Sequence, residues 1–312
     1  MSHQSLQAIS AVHTRLTQES VPTKEQLPLA AHTTIRIGGP AALAAFPENE
    51  AGVRTVLRIC REENLPCAVV GAGSNLLCPD NGFAGCVLFT SGLRGISFDG
   101  MCVTAGAGVS LTALCCAARD RSLAGLAFAH GIPGSVGGAV YMNAGAYGGE
   151  VGDRITSVTV LNADTGTVTV IQHDACAFGY RTSAFTNGRQ IVLSADFALE
   201  PGDSDAIRAE MEDISARRRD KQPLEYPSAG SAFKRYPGRF TAQLIDEAGL
   251  KGYTVGGAQV SEKHAGFIVN RGGATCTDVL TLIDRIRDRI EALHGIRIEP
   301  EIRLLSDCLV HY

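Results

Sequence analysis

Two glycine-rich runs limit what this chain can become more than any other feature. The first, Gly71-Ala-Gly-Ser-Asn-Leu-Leu77, follows the apolar stretch 68–70. The second is Gly131-Ile-Pro-Gly-Ser-Val-Gly-Gly138, continuing through 139–145. Glycine reaches positive φ without steric penalty and lets a ligand approach the backbone. With Ser and Asn between the glycines, successive N–H groups point into one concavity, a nest for anionic oxygen. Hydrogen bonds to a charged acceptor contribute about 1.5–3 kcal/mol each, so a few hold a phosphate without a basic side chain. Neither run is a standard nucleotide motif. The first has Leu76 where the dinucleotide fingerprint needs its third glycine, and neither carries the Gly-Lys-Ser or Gly-Lys-Thr of a P-loop. Singly, each reads more readily as a tight turn than as a phosphate site. Together, on a strand-rich scaffold, they predict a dinucleotide held between two lobes.

Around these runs, residues 33–202 read as short strands broken by glycine, at 34–37, 68–70, 86–89, 101–105, 155–161, 167–171 and 191–197. Asn49 caps a helix whose Val53, Val56, Leu57 and Cys60 share a face, and Ser110 caps another reaching about residue 121. The character changes after Pro201-Gly202. Asp203 caps a helix to about 221, closing on Arg217-Arg218-Arg219-Asp220-Lys221, a solvated charge run. A helix over 241–248 stops at Gly249. Thr275 with Asp278 forms a capping box, after which Val279, Ile283, Ile286, Ile290 and Leu293 share a face until Gly295. A strand over 298–304 follows. The predicted fold class is α+β: an N-terminal helix and linker (1–30), a β-rich cofactor region in two parts (31–90 and 91–202) and an α+β region (203–312).

Composition excludes several functions. Hydrophobic residues at 45% and charged residues at 19% are those of a globular protein, and a formal charge of −4 offers no basic surface to nucleic acid or anionic lipid. No run reaches the ~18 apolar residues of a membrane span, and residues 1–16 lack a signal-peptide pattern, so a soluble cytoplasmic protein is expected. None of the ten cysteines forms a CxxC pair or sits at zinc spacing with a His. They are expected to be reduced structural thiols, with no metal bound.

Seven stretches appear in a specific order across about residues 30–305. They are Thr34-Ile-Arg-Ile-Gly-Gly39, the Gly71 run, the run from Gly131 to Gly148, Phe178-Gly-Tyr-Arg181, Ala229-Gly-Ser-Ala-Phe-Lys234, Gly256-Gly-Ala-Gln-Val260 with Lys263-His264, and Glu299-Pro-Glu-Ile-Arg303. In this the sequence resembles the UDP-N-acetylenolpyruvoylglucosamine reductases of bacterial peptidoglycan synthesis. The resemblance implies an FAD-binding fold of the vanillyl-alcohol oxidase and p-cresol methylhydroxylase type in two subdomains, plus a C-terminal α+β domain that closes over substrate. It implies non-covalent FAD at Gly71, Ala72, Gly73, Ser74, Asn75 and Leu76, and at Ile132, Pro133, Gly134, Ser135, Gly138, Ala139 and Asn143. NADPH would deliver hydride to the flavin and leave, and the enolpyruvyl UDP-sugar would follow it into the same cleft.

The resemblance also implies catalytic roles. Arg181 would stabilise charge on the substrate carboxylate with Glu301 as partner, and Ser231 would protonate C2. Lys234 would bind the substrate's phosphates, with Tyr180 and Lys263 as further contacts. Arg235 stands where some members carry Asn. The short segment between Arg181 and Ser231 matches the subgroup lacking an extra substrate-covering loop. From the residues alone, Arg181 reads as a surface ion-pair partner, Glu301 as part of a solvated strand edge, and Ser231 as a loop hydroxyl. An alternative is a flavin-dependent alcohol or sugar oxidase of the same fold. Ser231-x-x-Lys234 also matches an acyl-transfer motif whose companion motifs are absent.

Overall fold

The computed structural model describes residues 3–312. Helix α1 (His3–Gln18) leads into the first of three main sheets. Its strands run in the order Thr23–Pro28, Pro40–Ala45, Phe83–Phe89, Cys67–Val70, antiparallel across the first pair and parallel across the others. The last three strands in that order are apolar over most of their length, as strands covered on both faces must be. Helix α2 (Glu50–Glu62) buries Val53, Val56, Leu57, Ile59 and Cys60. It starts where Asn49 Oδ1 accepts the Gly52 N–H at 2.9 Å, and it packs on α1 and on Phe83–Phe89.

The second sheet is antiparallel throughout, in the order Val168–Gln172, Ile155–Asn162, Gln190–Ala198, Cys102–Gly106, Ile96–Asp99. Helix α3 (Leu111–Arg119) starts at the Ser110 cap, as its sequence predicts. Helix α4 (Val136–Met142) lies inside the second glycine run and is not legible there, because Gly137 and Gly138 each cost a helix about 1 kcal/mol relative to Ala. Packing explains Gly137: a Cβ there would lie 2.8 Å from the Ala107 Cβ. One continuous core joins the first two sheets, through Leu43, Leu88, Val103, Val160 and Phe197.

Helix α5 (Ser204–Lys221) crosses to the third unit. Its sheet runs Ser228–Ser231, Phe267–Asn270, Ala258–Val260, Thr254–Val255, with helices α6 (Thr241–Glu247) and α7 (Cys276–His294). The Thr275–Asp278 capping box opens α7, and Gly295 at φ +65° closes it. Val279, Leu282, Ile283, Ile286 and Ile290 are buried, each contributing about 1.5–3 kcal/mol. Asp80, from the first unit, accepts the Cys276 N–H at 2.6 Å and the Thr277 N–H at 3.1 Å, so this helix is capped from two units at once.

Five local expectations are corrected. Within the expected N-terminal helix and linker (1–30), the linker part holds the strand Thr23–Pro28, paired with Pro40–Ala45. Residues 34–37 form a turn with Arg36 at φ +57°, which drives Ile35 and Ile37 into the core of the third unit. Of 298–304, only Arg303–Leu304 is strand, in parallel with Leu76–Leu77. Pro300 has no N–H for a ladder, and its flanks make only an isolated antiparallel bridge to Phe233: Lys234 N–H donates to Glu299 O, and Glu301 N–H to Ala232 O. Arg218 is only 8% exposed and is not part of a solvated run. Leu293, expected on the apolar face of α7, is exposed because the buried stripe ends at Ile290.

Candidate active site

The two glycine runs meet across one wall of a cleft of about 800 Å³, which the third unit completes. That volume lies within the usual range of roughly 300–1,000 Å³ for ligand sites. The runs are in close contact. A Cβ on Gly71 would collide with Ser135 Oγ, and one on Gly134 would lie 3.5 Å from Ser74 Oγ. Glycine at 71 is therefore needed for close approach, and Gly73 needs its freedom too, at φ +64°. The turn at 34–37 braces the first run: Thr34 N–H donates to Gly73 O at 3.1 Å and Thr34 Oγ1 to Ser74 O at 3.3 Å. Asn270 Nδ2 donates to Ile35 O at 3.0 Å and ties the same turn to the third sheet.

Arg181 and Glu301 come together inside the cleft, with Arg181 Nε donating to Glu301 Oε1 at 2.7 Å and side chains only 17% and 14% exposed. The bland readings of these two residues are ruled out by that burial. Arg181 Nη2 also donates to Gly145 O at 3.0 Å and Nη1 to Asn143 O at 3.5 Å, and the residue lines the cavity. Its backbone sits at φ +56°, a conformation disfavoured for a residue with a Cβ and found where function holds strain. Burial raises the Glu301 pKa above the ordinary carboxylate value, against the opposing pull of Arg181. Ser231 ends the first strand of the third sheet, exposed on the cleft wall, after Gly230 at φ +78°. The adjacent Ala232 carbonyl holds the Glu301 N–H at 2.8 Å, and serine, arginine and glutamate all line the one cleft.

The other expected residues divide. Ala72, Ser74, Asn75, Leu76, Ile132, Pro133, Ser135, Gly138, Ala139, Tyr180 and Arg235 line the cleft with the glycines. Tyr180 Oη accepts the Arg235 N–H at 3.1 Å. Asn143 does not line it. Asn143 is buried, and its side chain bonds Glu150, Gly179 O and the Gly152 N–H, while its carbonyl accepts from Arg181 Nη1 at 3.5 Å. Lys234 lies beside a neighbouring cavity of about 300 Å³ and pairs with the exposed Glu299 at 3.1 Å. Lys263 is exposed, donating to Arg219 O at 2.6 Å.

Arg218 is the residue that sequence reading missed. It lines the cleft from α5, next to Gly131, where a Cβ would lie 3.2 Å from Arg218 Cδ. Its Nε is buried with no hydrogen-bond partner among the described residues, and burial lowers its pKa. Nη1 donates to Gln222 Oε1 at 3.5 Å, but a buried guanidinium with no ion-pair partner among the described residues costs free energy that an anionic ligand offsets. Tyr147 packs against it, with the Arg218 guanidinium 5.8 Å from the ring centroid. The only signal in the sequence was the spacing of 207, 211, 214 and 218 along one helix face. With a glycine cradle and an orphaned cation in one cleft, the residues present fit a ligand that carries a diphosphate.

Comparison with known proteins agrees. Residues 41–172 match the FAD binding domain family, and residues 222–305 match the family described as UDP-N-acetylenolpyruvoylglucosamine reductase, C-terminal domain. The chain is similar to the UDP-N-acetylenolpyruvoylglucosamine reductase of Limosilactobacillus fermentum, at 46% identity over 92% of this chain and 95% of that protein. The same enzyme of Streptococcus pyogenes is 44% identical over 93% of this chain and 98% of its own. Among solved structures, the crystal structure of UDP-N-acetylenolpyruvylglucosamine reductase from Thermus caldophilus superposes with a TM-score of 0.77 at 34% identity, covering 91% of this chain and 98% of that one. No helix among the described residues is long and apolar enough to cross a membrane. The chain belongs to the UDP-N-acetylenolpyruvoylglucosamine reductase family and is an FAD-dependent oxidoreductase.

Proposed function

We propose that this protein reduces the enolpyruvyl double bond of UDP-N-acetylglucosamine enolpyruvate to give UDP-N-acetylmuramate for peptidoglycan synthesis in the cytoplasm, with NADPH as the source of reducing equivalents. The observation that carries this reading is the buried Arg181–Glu301 pair beside Ser231, in the cleft walled by the two glycine runs.

The runs at 71–76 and 132–139 hold the FAD non-covalently through backbone N–H groups, and Arg218 neutralises phosphate at the Gly131 end. When bound, the flavin supplies hydride chemistry. The chain's own groups do the rest. Arg181 presents its remaining donors to the substrate carboxylate, where negative charge grows as the double bond is reduced. A preorganised donor at such a position contributes about 2.7–4 kcal/mol, or roughly 10²–10³ in rate. Glu301 fixes the guanidinium so that it need not reorganise during reaction. Ser231 Oγ gives its proton to C2; a hydroxyl is a weak acid, and the carbanionic carbon it meets is a strong base.

Tyr180 and Arg235 contact the sugar nucleotide. Lys234 exchanges Glu299 for a phosphate, since so exposed a pair contributes only about 0–1 kcal/mol and releases its lysine readily. Lys263 stays a substrate contact that requires movement of the third unit, and Asn143 supports the cofactor wall by positioning Arg181.

Anaerobic absorption spectroscopy tests the reading. The purified protein should be yellow, lose its flavin band with NADPH and regain it on addition of the enolpyruvyl UDP-sugar. Recovery with oxygen but not with the enolpyruvyl compound would favour an oxidase.

A further inference from the structure

Cys60, Cys67 and Cys86 lie far apart in any motif sense, yet their Sγ atoms are all within 4.8 Å of one another. Each is at most 1% exposed. The fold makes this arrangement rigid. Cys67 and Cys86 are register partners on adjacent parallel strands, and Cys60 projects from the buried face of α2 onto them. The backbone around them is tied down, with Leu65 N–H donating to Cys60 O and Cys86 N–H to Pro66 O, both at 2.8 Å. Three donors at the corners of a small triangle match a centre bonded to three sulfurs: at a metal–sulfur bond of about 2.3 Å the sulfurs stand roughly 4 Å apart.

The surroundings select among such centres. The neighbours are apolar members of the main core, among them Leu57, Leu65 and Leu88. No fourth His, Cys, Asp or Glu joins the cluster among the described residues. Structural zinc requires four ligands, and zinc or copper(I) with three thiolates would bury a net negative charge. A trivalent metalloid with three thiolates is neutral. We propose that Cys60, Cys67 and Cys86 form a binding site for trivalent arsenic, taken up as arsenite. Three As–O bonds break, three As–S bonds form, the three thiol protons leave on three water molecules, and arsenic stays trivalent throughout. The product is neutral and needs no hydrogen-bond partner, as the core requires.

Entry is proposed on the side covered by residues 309–312, where Val310 N–H donates to Cys67 O at 2.8 Å and Tyr312 is 40% exposed.

The test incubates the flavin-loaded protein with arsenite, then reads native mass and arsenic-edge X-ray absorption. One arsenic per chain with three sulfur neighbours is expected, and Tyr312→Ala should load faster. Cys60→Ala and Cys86→Ala should each lower retention by more than the roughly 10- to 100-fold that outer-sphere changes cost. Either one suffices if the other fails to fold. Cys102→Ala, at an exposed thiol outside the cluster, should load normally. Two-sulfur coordination, arsenic retained undiminished in the cluster variants, or no arsenic in both wild type and Tyr312→Ala would overturn the proposal.

Discussion

The side-chain amide of Asn75 donates to the main-chain carbonyl of Glu301, 226 residues further along the chain, over 3.0 Å. Arg303 N–H returns the bond to Asn75 O at 3.0 Å. The first glycine run and the segment that carries the buried acid are thus one piece of structure. Cofactor wall and catalytic pair keep their spacing because a single asparagine bonds both.

Replacing Asn75 by Ala should uncouple them. The lost hydrogen bond itself is worth about 0.5–1.5 kcal/mol of stability. The larger effect is on turnover, since misplacement of about 1 Å at a reacting centre costs on the order of 10²-fold. Flavin content should stay near wild type while kcat falls by about 10- to 100-fold. Parallel loss of flavin and turnover would make Asn75 a cofactor ligand rather than a strut.

Arg218 gives a prediction of opposite sign for stability and for binding. Its buried, unpartnered Nε is costly in the empty protein, so Arg218→Met should leave the flavin-free form as stable as wild type or more so in urea. The same change should weaken binding of a diphosphate-bearing ligand by about 10- to 150-fold, the worth of one charge-assisted hydrogen bond. Isothermal titration with FAD and with the UDP-sugar would show which ligand it serves. Unchanged affinity for both would remove Arg218 from the site.

These residues also show what a sequence reveals and what it hides. The helix caps at Asn49, Ser110, Asp203 and Thr275 were legible because a cap is a local bond between residues three apart. Gly71 was legible from its glycine run, whereas Ser231, Arg181 and Glu301 were singled out only by a resemblance, since no local pattern distinguishes a buried Glu301 from a solvated one. Arg218 was hidden because its neighbours Arg217 and Arg219 are exposed and the run reads as one charged surface. The turn at 34–37 was hidden because β-branched residues favour strand, and a contact to Gly73 overrides that preference. The thiol triad was invisible to any spacing rule, since a helix and two strands bring it together.

Glu301 sets a pH dependence. Burial raises its pKa, so the fold favours the protonated form. The stability this contributes is present below the unfolded carboxylate value of about 4.3 and is lost as pH rises through the elevated folded value. Glu301→Gln is neutral at every pH and escapes that loss. The urea midpoint of wild type relative to Glu301→Gln should therefore fall from acid to neutral pH. A difference independent of pH would mean that attraction to Arg181 cancels burial, and one that grows would mean that it outweighs burial.

The most direct measurement separates the two half-reactions by stopped flow in Ser231→Ala. Ser231 lines the cleft on the third unit and belongs to neither glycine run, so flavin binding and bleaching by NADPH should proceed at the wild-type rate. Return of the flavin band with the enolpyruvyl UDP-sugar should slow by at least about 10²-fold, the lower end of the contribution of a positioned proton donor. Wild-type reoxidation in this variant would contradict the assignment of the proton to Ser231, and loss of the NADPH step would contradict the division of labour between the glycine runs and the third unit.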